Sequence, residues 1–377
     1  MTKYKAYPSY KDSGVEWLGD IPSKWVILNI KRLCFVKRGA SPRPIEDPIY
    51  FDDYGEYSWV RISDVTSSDM YLEKTTQKLS KLGKSLSVPL EPNDLFLSIA
   101  GSVGKPIISN IKCCIHDGFV YFQNYKENLK FLYWVFKSGQ PYLGLGKFGT
   151  QLNLNKDTVG DIKFGLPPLT EQKAIADFLD KATAKIDTTI EKQTKLIELL
   201  KEKRQAVISH AVTKGLNPNV AMKDSGVEWL GDVPEHWLMG RLKNVLKIRN
   251  GKDYKHVEVE ANGYPVYGSG GIFKLSSEYL YDGESILFGR KGTVDKPIIV
   301  KGKFWTVDTM FYTELRINTC IKYIYAQAKL FPFNLLSTST ALPSMTQEDL
   351  SELEFIIPPL TEQKQIADYL DKKNSSN

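Results

Sequence analysis

The sequence predicts an α+β protein: two β-rich mixed globules in tandem pseudo-repeat, joined by a long coiled-coil-like helix. Three observations carry that reading. Residues 11–25 (KDSGVEWLGDIPSKW) recur at 223–237 (KDSGVEWLGDVPEHW) with twelve of fifteen positions identical. Residues 167–181 (PPLTEQKAIADFLDK) recur at 358–372 (PPLTEQKQIADYLDK) with thirteen of fifteen identical. Between these blocks, runs rich in Val, Ile, Phe and Tyr are punctuated by Gly and Pro, the signature of strands and tight turns. Near-identical ends around divergent middles mean a duplication whose second copy has the shorter interior.

The middles share a skeleton. Phe35-Val36-Lys37-Arg38-Gly39 aligns with Lys247-Ile248-Arg249-Asn250-Gly251, and GSVGKP (101–106) aligns with GTVDKP (292–297). Each of these loops follows a strand-like run, 94–100 or 285–291, and precedes another, 106–122 or 297–315. The element after PPL differs in kind. From Thr170 to His210 there is no Gly or Pro, and good helix formers dominate. Thr170 is placed to N-cap, and Glu171 suits the first turn. Apolar residues recur at Ile175, Leu179, Ala182, Ile186, Ile190, Ile197, Leu200 and Val207. Asp177/Lys181 and Glu191/Lys195 add i,i+4 support. Such a helix, about 60 Å long, exceeds the core of a small domain and reads as a spacer. Gly215-Leu216-Asn217-Pro218 ends it. The expected organisation is globule 1–168, helix 169–212, linker 213–222, globule 223–358 and a distal helix 359–377. That last helix opens as the first does, at Thr361, but reaches a polar tail at Asn377 without a counterpart of residues 182–214.

Composition narrows the function class. Apolar residues make up 42% and charged residues 25%, and mean hydropathy is −0.29, which supports packed cores and not disorder. No apolar run approaches the roughly 18 residues of a membrane helix, and the start, MTKYKAYPSY, has no apolar leader segment. A secreted or membrane protein is therefore disfavoured and a cytoplasmic one expected. Cys34, Cys113, Cys114 and Cys320 form no CxxC pair, and with four histidines no metal site is expected. Fifty Lys+Arg against 44 Asp+Glu gives a net charge of +6, compatible with a nucleic-acid partner.

Catalytic motifs fail their context tests. Gly144-Leu-Gly146-Lys-Phe-Gly149 matches GxGxxG, but no clear helix follows it. Gly101–Lys105 lacks phosphate-loop spacing. Glu171-Gln-Lys173 and Glu362-Gln-Lys364 resemble nuclease ExK tails but lie in the first turn of a helix. His116 reads as a core residue. No GxSxG or HExxH is present, so no catalytic residue is expected on this chain.

Contact with DNA has better support. Residues 31–44 carry five basic side chains and no acid, and residues 241–256 carry six Lys+Arg against Asp253. A single run of this kind is ordinarily a solvated face; its recurrence at matching places suits phosphate contact by Lys37, Arg38, Arg249 and Lys252. Variable loops supply candidate base readers: Arg61, Ser63 and Asp64 in the first copy, Tyr267 and Ser269 in the second, and the late positions Gln151, Asn153 and Ser344. The basic residues flanking the two aligned loops, Lys105, Arg290, Lys291 and Lys296, complete the set.

The combination of SGVEWLGDIPxxW, a G-[ST]-V-x-K-P loop and PPLxEQKxIADxLD opening a long helix, all present twice, resembles the specificity (S) subunit of type I restriction–modification systems across essentially the whole chain. The resemblance implies that each middle is a target recognition domain and that the two read a bipartite, asymmetric site in double-stranded DNA. It further implies that the helices form a ruler, and that two methyltransferase subunits and the motor–nuclease subunits dock on helices and repeated blocks. Candidate docking residues are Glu171, Ile175, Leu179, Ile186, Leu200, Glu362, Ile366 and Leu370. S-adenosylmethionine, ATP and Mg²⁺ would then belong to the partners, with no cofactor on this chain. A full-length member carries a second long helix. The shortened one here raises the expectation of pairing with a second copy or reliance on the first helix alone. The competing reading is a scaffold that binds partners but no longer reads DNA.

Overall fold

A computed structural model describes residues 6–143, 145, 154–337 and 343–375. The chain divides into two compact units, Met1–Glu191 and Lys192–Asn377, built on one frame. The repeated blocks fold onto each other within each unit. Strand Val26–Asn29 pairs antiparallel with Lys163–Leu166, and Leu238–Arg241 pairs antiparallel with Glu354–Ile357. A hairpin precedes each pair, Tyr10–Asp12 with Asp20–Pro22 and Met222–Asp224 with Asp232–Pro234. The duplicated DSG makes the same turn in both copies. Asp12 and Asp224 each accept a hydrogen bond from the backbone two residues on, Gly14 N at 2.8 Å and Gly226 N at 2.9 Å. Both glycines sit at positive φ, +63° and +70°, where a side chain is strained.

The divergent middles are sheets. In the first unit a five-stranded sheet runs in the order Phe35–Arg38, Phe119–Gln123, Leu95–Ser98, Pro106–Ser109, Tyr71–Leu72. Beside it lies a four-stranded sheet of Gln77–Leu79, Tyr57–Val60, Cys113–Ile115 and Val88–Leu90. The second unit has one seven-stranded sheet: Leu246–Asn250, Met310–Leu315, Tyr281–Gly289, Ile298–Thr306, Tyr264–Gly268, Gly271–Ser276 and Glu258–Val259. Here a single nine-residue strand, Ile298–Thr306, replaces the two short strands Pro106–Ser109 and Cys113–Ile115. A parallel pairing survives in both: Ile115 lies opposite Val60, and Thr306 opposite Tyr267. The cores are apolar and close-packed, around Leu97, Val120, Leu132 and Phe136 in the first unit and Trp237, Phe288, Phe311 and Phe355 in the second.

The long helix spans Leu169–Lys214, 46 residues. It begins one residue before the expected cap, so Thr170 lies inside the first turn and the Glu171 and Gln172 amides turn back to the Pro168 carbonyl. Gln172, 0% exposed, fastens the helix to its unit. Its Nε2 donates to Pro167 O and Glu127 Oε2, both at 2.8 Å, and its Oε1 accepts from Asn128 N at 3.0 Å, at the head of helix Leu129–Lys137. Gln363 repeats this in the second copy, with Pro358 O at 2.8 Å, Cys320 N at 2.9 Å and Thr319 Oγ1 at 2.6 Å. The far end of the long helix, Ile208, Ala211 and Val212, is buried in the second unit's core. Gly215 ends it at φ +77° with the Trp237 ring 3.2 Å from where a Cβ would stand. The distal helix, Leu360–Ser375, has 16 residues.

Candidate nucleic-acid interface

One end of the sheets is built identically in both units. In the first, Gly39 N donates to Phe119 O, Ala40 N to Ile115 O, Phe119 N to His116 O and Ile99 N to Gly118 O. In the second, Gly251 N donates to Met310 O, Lys252 N to Thr306 O, Met310 N to Val307 O and Arg290 N to Thr309 O. The turns 116–118 and 307–309 are thus equivalent. They bring a basic edge strand, the end of the parallel strand and the loop after a central strand to one place. Only glycine fits at 39 and 251, because a Cβ would stand 2.1 Å from His116 O and 2.0 Å from Val307 O.

On this shared frame the walls differ. In the first unit a cleft of about 850 Å³ is lined by Arg43, Trp59, Arg61, Gln77, His116 and Asp117, among others. Asp117 organises it: Ser41 Oγ donates to its Oδ1 at 2.8 Å, Arg43 Nη2 to its Oδ2 at 3.1 Å, and Arg38 Nε to its carbonyl. Burial pushes the Asp117 carboxyl up, but the Ser41 bond and the Arg43 and Arg38 charges outweigh it and hold the group below the usual carboxylate range. Asp117 is therefore ionised. Burial also pulls the His116 pKa down. Its Nδ1 accepts from Gly118 N at 2.9 Å, so the ring is neutral with its proton on Nε2. The 3.8 Å approach to Asp117 is accordingly not an ion pair. Arg61 donates to Gln77 Oε1 across the cleft wall. In the second unit Lys252, Tyr267, Arg290, Lys291 and Ser344 gather at the equivalent end. Tyr267 O accepts from Thr306 Oγ1 and Val307 N, both at 3.1 Å, and Arg290 Nη1 reaches Asp308 O at 3.4 Å. Lys291 bridges to Ser344. Ser269 lies in the turn joining Tyr264–Gly268 to Gly271–Ser276.

Several expected readers have structural duties instead. Asp64, 7% exposed, accepts from Arg61 N at 2.8 Å and caps the helix Ile62–Ser67. Lys105 donates to Thr66 O at 3.0 Å and Ser68 O at 2.6 Å, neutralising the carbonyl end of that helix. Lys296, its counterpart, is exposed, and among the described residues the second unit has no such helix. Arg249 is paired with Glu314 at 3.0 Å. Lys37 and Ser63 are exposed, and Gln151 and Asn153 lie outside the described residues. The sequence reading missed Arg43, Gln77, Asp117 and Asp308, and it took His116 for core. The available signal was the alignment of Asp117 with Asp308 behind matching strands.

The expected docking residues divide as well. Glu171 accepts from Trp25 Nε1 at 3.2 Å and from the Tyr7 hydroxyl, a bond that, ahead of burial, pushes the Tyr7 pKa up to about 12. Glu362 accepts from Trp237 Nε1 at 2.9 Å and meets His236 Nε2 at 2.7 Å. The two most alike blocks therefore clasp each other within each copy. Ile175 packs on the first core, Leu179 is half-buried, and Ile366 and Leu370 lie in the second core, 1% and 7% exposed. Ile186 and Leu200, 57% and 50% exposed, remain on the surface.

Burial pushes the thiols of Cys34, Cys113 and Cys114 up to about 12, so they are inert packing groups. Among the described residues no group of three His, Cys, Asp or Glu side chains is placed to hold a metal, and no helix is long and apolar enough to cross a membrane.

One frame used twice, with unlike walls at the same sheet end, defines a protein of two equivalent units. The model of the type I restriction modification DNA specificity domain matches residues 22–200 and again 234–375, and the chain belongs to that family, carrying its domain twice. It is 24% identical over 385 residues to the MjaVIII specificity subunit of Methanocaldococcus jannaschii, covering 93% of this chain and 86% of that one. To the EcoDI specificity subunit of Escherichia coli it is 26% identical over 275 residues, covering 63% and 61%. Its fold matches a chain from a study of complex assembly and conformational transition of the type I R-M system, with a TM-score of 0.69 at 17% identity over 94% and 91% of the two chains. It also matches the HsdS subunit of Thermoanaerobacter tengcongensis, with a TM-score of 0.56 at 16% identity over 94% and 90%.

Proposed function

We propose that this chain is the non-catalytic DNA-reading subunit of a type I restriction–modification complex and that each head reads one half of a bipartite, asymmetric site. The observation that carries this is the equivalent sheet end with a different wall in each unit: the same frame approaches DNA twice, and unlike side chains meet it. The 46-residue helix is about 70 Å long, close to two turns of duplex, and suits a ruler between half-sites. The near-identical clasped blocks present like surfaces, as two identical methyltransferase subunits require; motor–nuclease subunits join through them. S-adenosylmethionine, ATP and Mg²⁺ belong to those partners, and the complex works in the cytoplasm on cellular DNA. The exposed Ile197 and Leu200 of the long helix are where another chain's helix packs, a second copy of this protein being the natural supplier. Light scattering on the purified chain tests that: a strict monomer that is fully active in the complex refutes self-pairing.

The reading itself is tested by single-molecule methylation sequencing of cells that co-express the chain with its methyltransferase subunit. An asymmetric bipartite motif is expected. A symmetric motif would mean one head used twice. Absent methylation with partner binding intact would leave only a scaffold.

A further inference from the structure

We infer that the first head reads guanine through two buttressed arginines, Arg61 held by Gln77 and Arg43 held by Asp117, and that the second head has no counterpart of the Arg61 fork. This rests on the DNA-reading role proposed above and assigns its chemistry. Arg61 and Arg43 face the same cleft, and each guanidinium already has one donor engaged by an acceptor of its own unit. A guanidinium has five donors, so one bond restrains the group and leaves a pair of N–H groups to offer. That pair matches the O6 and N7 acceptors of guanine in the major groove, and the prior anchoring removes rotamer freedom before DNA arrives. Gln77 and Asp117 touch no base; they are positioning residues.

The second head lacks this arrangement by register. Ile115 faces Val60 in the first unit and Thr306 faces Tyr267 in the second, so the position after Val60, Arg61, corresponds to Gly268. A glycine offers no fork. The guanine contact through Arg61 therefore belongs to one half-site and contributes to the asymmetry of the target.

The test is selection from a randomised duplex library by the full chain, as wild type, R61A, R61K and Q77L. Wild type should enrich two half-sites, one containing a guanine that disappears in R61A and weakens in R61K, which loses the fork, while the other half-site is unchanged. R61K keeps the charge and should bind scrambled duplex as wild type does. Replacing that guanine with 7-deazaguanine, which removes N7, should weaken wild type by roughly five- to a hundredfold and leave R61A unaffected. Q77L should lower the guanine preference without changing the affinity for scrambled duplex, which a merely structural role would not do. An unchanged motif in R61A and R61K, or equal loss on selected and scrambled duplex, overturns the inference and leaves the DNA-reading role standing. Failure of the wild type to enrich any sequence overturns both.

Discussion

Replacing Gln172 with Leu should cost about 4 kcal/mol in the first unit, although the swap nearly preserves volume. The wild-type amide is fully buried and makes three bonds, to Pro167 O, Glu127 Oε2 and Asn128 N. Leucine supplies none of them. Glu127, half-buried, can turn to water, but the Pro167 carbonyl and the Asn128 amide are left without a partner, at about 1–3 kcal/mol each. Two such groups give about 4 kcal/mol, a large share of the roughly 5–15 kcal/mol that holds a domain together. At about 2–4 °C per kcal/mol for a unit of this size, the first melting transition should fall by about 12 °C in calorimetry of the full chain. The Asn128 amide should also lose protection from hydrogen exchange. Lys173→Ala, one residue on and exposed, should stay within about 0.5 kcal/mol of wild type. A Gln172→Leu protein melting with wild type, or an Asn128 amide equally protected in both, would refute the idea that this glutamine fastens the helix to the head.

Three further outcomes follow from the interface. Burial lowers the folded pKa of His116 below its ordinary 6.5, so the unfolded chain takes up the proton first. The stabilisation is complete above pH 6.5 and shrinks as pH falls through the folded value; thermal melts of wild type and His116→Gln at pH 7 and pH 5 should show the larger acid loss in wild type, and parallel losses would count against it. Lys37→Ala should weaken binding to cognate and scrambled duplex alike and reduce the salt slope by about one, read by fluorescence anisotropy across a salt series. Gly39→Ala drives a Cβ into His116 O and should erase one half-site from the methylation motif, Gly251→Ala the other; loss of both from either variant would show that the heads do not act independently.

Much of this fold was legible because it is written twice. The duplicated blocks, the glycine-free helix and the strand-like runs around GSVGKP and GTVDKP all correspond to elements that form. What sequence could not separate was purpose among chemically identical residues. Asp64 and Lys105 look like DNA contacts and serve as caps at opposite ends of one short helix, since the charges that suit a phosphate also suit a helix terminus. Glu171 and Glu362 recur as a docking surface would, and each accepts a hydrogen bond from a tryptophan that recurs with it, Trp25 and Trp237. Nothing local marks a pair separated by a whole domain. Arg43 and Asp117 meet only when the strands of the unit come together, and the residue-by-residue match of Arg61 with Gly268 is set by the parallel pairing.

The most direct test lengthens the spacer. Residues 185–191 lie on the fully exposed stretch of the long helix. Duplicating these seven residues adds two turns and about 10 Å with little change of helical phase, equivalent to roughly three base pairs. Methylation mapping of the variant should then return the same two half-sites with the gap between them longer by about that amount. An unchanged gap, or altered half-sites, would contradict two independent reading heads set apart by a helix.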